Sequence, residues 1–70
     1  MKALIIEDES LAAEKLERML LDTDPSVTVT AKLGSIKDSV RWLMQNRADL
    51  IFLDIQLSDG ISFSIFEQVT

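Results

Sequence analysis

The sequence predicts an α/β fold built on a doubly wound parallel sheet, and three patterns carry that prediction. Two short apolar runs, Ala3–Ile6 and Leu50–Leu53, end directly on carboxylates: Glu7-Asp8-Glu9 after the first and Asp54 after the second. Continuous runs of this length read as strands buried on both faces, the kind found inside parallel sheets. Between them stand a run that alternates apolar and polar residues, and two segments whose apolar residues recur at helical spacing.

Taken in order, Lys2–Ile6 is the first strand. Ser10 is expected to cap a helix whose Ala12, Leu16, Met19 and Leu20 share one face, with Glu14, Glu17 and Arg18 turned to water. Asp22-Thr23-Asp24-Pro25 stops it, because Pro25 disfavours helical backbone at Asp24. Val27, Val29, Ala31 and Leu33 then alternate with Thr28, Thr30 and Lys32, as in a strand covered on one side, at a sheet edge. Gly34 breaks the alternation, and Ser35-Ile36-Lys37-Asp38 is a capping box with Asp in place of Glu. Ile36, Val40, Leu43 and Met44 fall on one face of this second helix, with Trp42 packing partly beside them. Asn46 closes it, and Asp49 leads into the third strand, Leu50–Leu53. After Asp54 come Ile55-Gln56-Leu57, the turn pair Asp59-Gly60, and a last helical segment bearing Phe63, Phe66 and Val69. Phe63 and Phe66 are expected in the core, with Met19 and Met44 filling gaps around it.

The predicted order is therefore β-α-β-α-β-α. Right-handed crossovers, with the alternating strand at an edge, give the spatial order 2-1-3. That is the opening of a flavodoxin-like sheet, whose full order is 2-1-3-4-5.

Composition narrows the function. Seventy residues make one small domain, and a chain of that size buries only about 60% of its unfolded surface. The net charge of -5 argues against a nucleic-acid-binding surface and suits a cation-binding face. The absence of cysteine excludes disulfides and thiolate metal sites, and the absence of histidine excludes a catalytic His triad and a phosphohistidine donor. No apolar stretch reaches the ~20 residues of a membrane span, and no signal peptide is visible. The expected address is the cytoplasm, with no membrane partner.

If the two continuous strands are parallel neighbours, Glu7, Asp8 and Asp54 meet at the sheet edge where open α/β folds bind their ligands. Like charges held together repel and raise one another's pKa. A hard divalent cation relieves that cost, and Mg²⁺ is the common one where phosphate chemistry is done.

The acidic pair Glu7-Asp8 closing the first strand, Asp54 closing the third, and the loop Asp54-Ile55-Gln56-Leu57-Ser58-Asp59-Gly60 resemble the receiver domains of two-component response regulators. Leu11-Ala12-Ala13-Glu14 and the Ile55–Gly60 loop further resemble regulators that carry a LytTR-type DNA-binding domain. The resemblance covers residues 1–70 and implies a phosphoacceptor rather than an enzyme. Asp54 would take a phosphoryl group from a sensor histidine kinase, giving an acyl phosphate. Asp8 would bind Mg²⁺ directly, Glu7 through a water, and the backbone carbonyl of Gln56 would add an oxygen. The family more often has Asp at the position of Glu7, so the extra methylene alters the reach of that water-mediated contact. Glu9 reads as a helix-start acid. Ser58, Asp59 and Gly60 read as the turn and cap of the last helix, the glycine supplying a conformation costly to other residues.

The family pattern continues with a strand ending in Thr or Ser and another ending in Lys, and neither is found here. The chain is thus expected to be a partial receiver, truncated after the third strand and the following helix. DNA would be contacted only through a C-terminal output domain absent from it. The strand Leu50–Leu53, left with one sequence-local neighbour, is expected to pair with a second copy, making a homodimer. The competing function is a half-domain that serves only as an oligomerisation or interaction module, without phosphotransfer. A haloacid-dehalogenase-type phosphatase needs a second Asp two residues after the first, where Gln56 stands. Rossmann and P-loop readings fail because acids, not a Gly-rich turn, follow the first strand.

Overall fold

Strand β1 (Lys2–Ile6) runs through the middle of the protein, and its Ala3, Leu4, Ile5 and Ile6 are wholly buried. In the computed structural model, which describes residues 1–69, β1 pairs in parallel with β2 (Thr28–Leu33) on one side and β3 (Leu50–Leu53) on the other, in the order β2-β1-β3. This is the spatial order the apolar patterns predict. Burial along β2 alternates as its sequence does. The β1–β2 register slips between Ala3 and Leu4, leaving Thr30 opposite no partner. Its hydroxyl donates to the Ala3 carbonyl at 3.1 Å, so the irregularity keeps that oxygen satisfied.

Alternation along β1 divides the core. Leu4 and Ile6 pack with Ile36, Leu57 and Ile65, joined by Ile51, Leu53, Val40, Leu43 and Trp42. Ala3 and Ile5 point to the opposite face, where α1 (Ser10–Thr23) lies along β1 and β2 and buries Ala13. Helix α1 begins one residue earlier than its sequence suggests. Glu9 occupies the cap position and its carbonyl accepts from Ala13, while Ser10 is already helical and caps nothing. The reason is local: the Glu9 N–H is held by the Glu7 carboxylate at 3.1 Å, turning the chain into the helix at that point. The helix ends at Asp24 as expected, with Asp24 accepting from the N–H and hydroxyl of Ser26. Helix α2 (Ile36–Gln45) is capped by Ser35, whose side chain accepts from the Asp38 N–H, and closed by Asn46.

The last segment departs from expectation. Instead of running through a loop into one helix, residues after Asp54 form a small hairpin, β4 (Gln56–Leu57) against β5 (Gly60–Ile61). A 3₁₀ turn (Ser62–Ser64) and a short helix α3 (Ile65–Gln68) follow. The 3₁₀ turn advances three residues per turn rather than 3.6, which rotates the apolar face. Ile65 is therefore fully buried, whereas Phe63 and Phe66, expected in the core, are 58% and 48% exposed. Met19 and Met44 are not gap fillers either, at 58% and 69% exposed. Strand β3 is only half-buried, because among the described residues it has a hydrogen-bonded neighbour on one side alone.

Candidate metal centre

Register places the acids. Ile6 of β1 stands opposite Leu53 of β3, so Glu7 and Asp54 leave the sheet at the same height. The ladder continues one residue past each strand: Glu7 N–H donates to the Leu33 carbonyl at 2.8 Å and Asp54 N–H to the Ile6 carbonyl at 2.9 Å. The backbone of Glu7 is thus tied to β2 and that of Asp54 to β1. Carboxylate oxygens of Glu7, Asp8 and Asp54 lie within 4.8 Å of one another, Glu7 and Asp54 half-buried and Asp8 exposed. Two clefts of about 310 Å³ flank the cluster, one lined by Glu7, Asp8, Ser10, Lys32 and Gly34, the other by Glu7, Leu16, Phe52 and Asp54.

The electrostatics of Glu7 record the crowding. Its hydrogen bond from the Glu9 N–H lowers its pKa, but desolvation, a side-chain hydrogen bond with Asp8 and the charges of Asp54 and Asp8 outweigh it, and the net direction is upward. Three hard oxygen donors whose mutual repulsion costs free energy suit a small divalent cation. The sequence expectation that these three side chains converge is met by the geometry. Gln56 lies in β4 opposite Ile61, two residues beyond Asp54, with its side chain in solvent. Lys32 lines the first cleft, but its ammonium is paired with Glu17 at 2.7 Å, which raises its pKa.

One residue binds elsewhere than its local sequence predicts. Asp59 does not cap the last helix. Its carboxylate accepts from the N–H groups of Ile36 and Lys37, at 2.7 Å and 3.2 Å, at the start of α2. Those two bonds hold its pKa below the ordinary carboxylate value. Ser58 supports the same junction, its hydroxyl donating to the Gly34 carbonyl at 3.3 Å. No local pattern announces a contact across more than twenty residues.

Comparison with known proteins gives the cluster its context. The chain is 40% identical over 65 residues to the sensory transduction protein LytT of Bacillus cereus, covering 93% of this chain and 26% of that protein. The chain is a relative of the LytT/LytR response regulators. A LytT of Enterococcus faecalis is 39% identical over 70 residues, covering all of this chain and 28% of that protein. The transcriptional regulatory protein LytR of Staphylococcus aureus is 37% identical over 59 residues, covering 84% and 24%. This LytT/LytR-like chain spans about a quarter of the length of the curated relatives it matches. Its parallel three-stranded sheet with flanking helices has the order β2-β1-β3, consistent with the opening of a flavodoxin-like sheet. No family model matches the chain, and no solved structure matches it. Among the described residues no helix is long and apolar enough to cross a membrane.

Proposed function

We propose that this chain is the phosphoacceptor part of a two-component receiver, with Asp54 as the residue that is phosphorylated. The observation that carries the proposal is the convergence of Glu7, Asp8 and Asp54 at the C-terminal edge of a parallel sheet, in a relative of response regulators. A carboxylate oxygen of Asp54 attacks the phosphorus of a kinase phosphohistidine, the P–N bond breaks, and the imidazole leaves with its electron pair and takes up a proton. Asp8 and Asp54 would hold Mg²⁺ directly, with the Gln56 carbonyl as a further oxygen and Glu7 acting through a water. Once bound, the cation supplies charge neutralisation for the transferring group. The remaining work of the chain is to hold Asp54 in place, which the Asp54–Ile6 backbone bond does. The sensor histidine kinase is the proposed partner, and the cytoplasm the proposed compartment. DNA contact belongs to an output domain outside these acidic residues.

A second reading rests on strand β3. Its outer edge is without a partner among the described residues, and Leu50 is exposed there. Such an edge is a template for another strand, which favours a module that assembles as a homodimer without phosphotransfer. Labelling with a small phosphodonor, with and without Mg²⁺, separates the two. The phosphoacceptor reading expects slow, Mg²⁺-dependent label confined to Asp54, since Lys32 is engaged by Glu17 and does not assist. Complete absence of label under saturating Mg²⁺ favours the assembly reading.

A further inference from the structure

We propose that Asp59 is a positioning residue for the carboxylate cluster: it latches the segment after Asp54 onto the first turn of α2 and so fixes that segment against Glu7 and Asp8. The inference rests on the metal reading above but is carried by hydrogen bonds that exist without a metal. The N–H groups at a helix start have no partner inside the helix. In α2 those of Ile36 and Lys37 go to Asp59, and that of Asp38 goes to Ser35. The helix could have closed this end with groups of its own; instead two of its donors bind a residue from the loop that follows Asp54.

The contacts around Asp59 make the loop and α2 one unit. Ser58 donates to the Gly34 carbonyl, and Ser62 N–H donates to the Ile55 carbonyl at 2.8 Å, closing the loop's other side. Gly60 takes a φ of 140°, reserved for glycine, and a Cβ there would stand 3.0 Å from Ile36 Cδ1. At the far end of the junction, a Cβ on Gly34 would lie 3.5 Å from Asp8 Cα and 3.7 Å from the Glu7 carbonyl oxygen. The path therefore runs from Asp54 through its loop to Asp59, across to Ile36 and Gly34, and back to the backbone of Glu7 and Asp8. Asp59 is itself no ligand; its effect is on where Asp54 and the Gln56 carbonyl stand.

The test compares Asp59→Ala and Asp59→Asn with Ser35→Ala, which removes a cap from the same helix end without touching the loop. Amide hydrogen exchange is measured on the metal-free chain, and Mg²⁺ binding by calorimetry. Asp59→Ala should speed exchange at Ser62 as well as at Ile36 and Lys37, and weaken Mg²⁺ binding about tenfold, the low end for groups that orient metal ligands. Asp59→Asn, which keeps an acceptor oxygen, should fall between it and wild type. Ser35→Ala should alter exchange in α2 alone and leave Mg²⁺ affinity unchanged. Exchange confined to α2 in Asp59→Ala, as in Ser35→Ala, would overturn the latch. If the wild-type chain took up no Mg²⁺, the metal reading would fail, and the exchange pattern at Ser62 would still decide for or against the latch.

Discussion

The backbone N–H of Asp54 is bonded to the carbonyl of Ile6 at 2.9 Å, so the proposed phosphoacceptor hangs from the residue that precedes Glu7. One peptide of β1 thereby sets the separation of two acids that are 47 positions apart in the chain. This backbone bond sets the height at which Asp54 leaves the sheet beside Glu7.

Acid should reveal the Asp59 latch. Its pKa is lowered by the Ile36 N–H first, and by that of Lys37. A carboxyl depressed in the folded state stabilises fully above its unfolded value, near 3.8, and loses that contribution as pH falls through the folded one. The stability difference between wild type and Asp59→Asn, read from urea unfolding, should be constant from pH 7 to pH 5 and shrink below about 3.8. A difference that grew toward low pH would contradict the hydrogen-bond assignment.

The Lys32–Glu17 pair should show the opposite dependence. The ammonium pKa is raised, chiefly by the hydrogen bond to Glu17. Its contribution is complete below the ordinary value of 10.5 and is lost as pH rises through the folded one. Lys32→Met should therefore match wild type in stability only in strong alkali, a comparison that thermal unfolding across pH 8 to 11 supplies.

Burial in the last segment is tested by two truncations. Ile65→Ala removes a fully buried side chain and should cost about 2–5 kcal/mol. Phe63→Ala removes a larger but exposed one and should change stability by roughly 0.5 kcal/mol or less. Equal losses in denaturant unfolding would return Phe63 to the core.

These residues also mark where the sequence was legible. Continuous and alternating apolar runs specified the strands, their 2-1-3 order and the edge that Glu7, Asp8 and Asp54 share, because burial and period are properties of the run itself. Phe63 and Phe66 fall outside the core because a 3₁₀ turn changes the period in the middle of the segment. Ser10 lies inside the helix, not at its cap, because the Glu7 side chain holds the Glu9 N–H one residue earlier. Asp59 read as a local cap because its partners on α2 become neighbours only after β3 docks beside β1. Local pattern predicts elements well; it is silent on bonds between loops.

The assembly reading makes its own demand. If β3 pairs with a second copy through its outer edge, Phe52→Lys or Ile51→Lys should yield an unfolded or aggregated chain instead of a dimer. Sedimentation of the wild-type chain at low micromolar concentration as a folded, cooperative monomer would sink the homodimer.

For phosphotransfer, Asp54→Asn should abolish Mg²⁺-dependent labelling, since an amide is not a comparable nucleophile. Mass mapping of the labelled wild-type chain should find Asp54 alone. Label on Glu7 or Asp8 would reassign the acceptor.

The most direct measurement is a Mg²⁺ titration of the chain followed by backbone amide shifts, repeated for Asp8→Ala, Asp54→Ala and Glu7→Ala. The account predicts saturable shifts centred on Glu7, Asp8 and Asp54–Gln56, binding strongly weakened by Asp8→Ala and Asp54→Ala, and a smaller loss for Glu7→Ala. Affinity unchanged in Asp8→Ala, or shifts centred elsewhere on the chain, would contradict it.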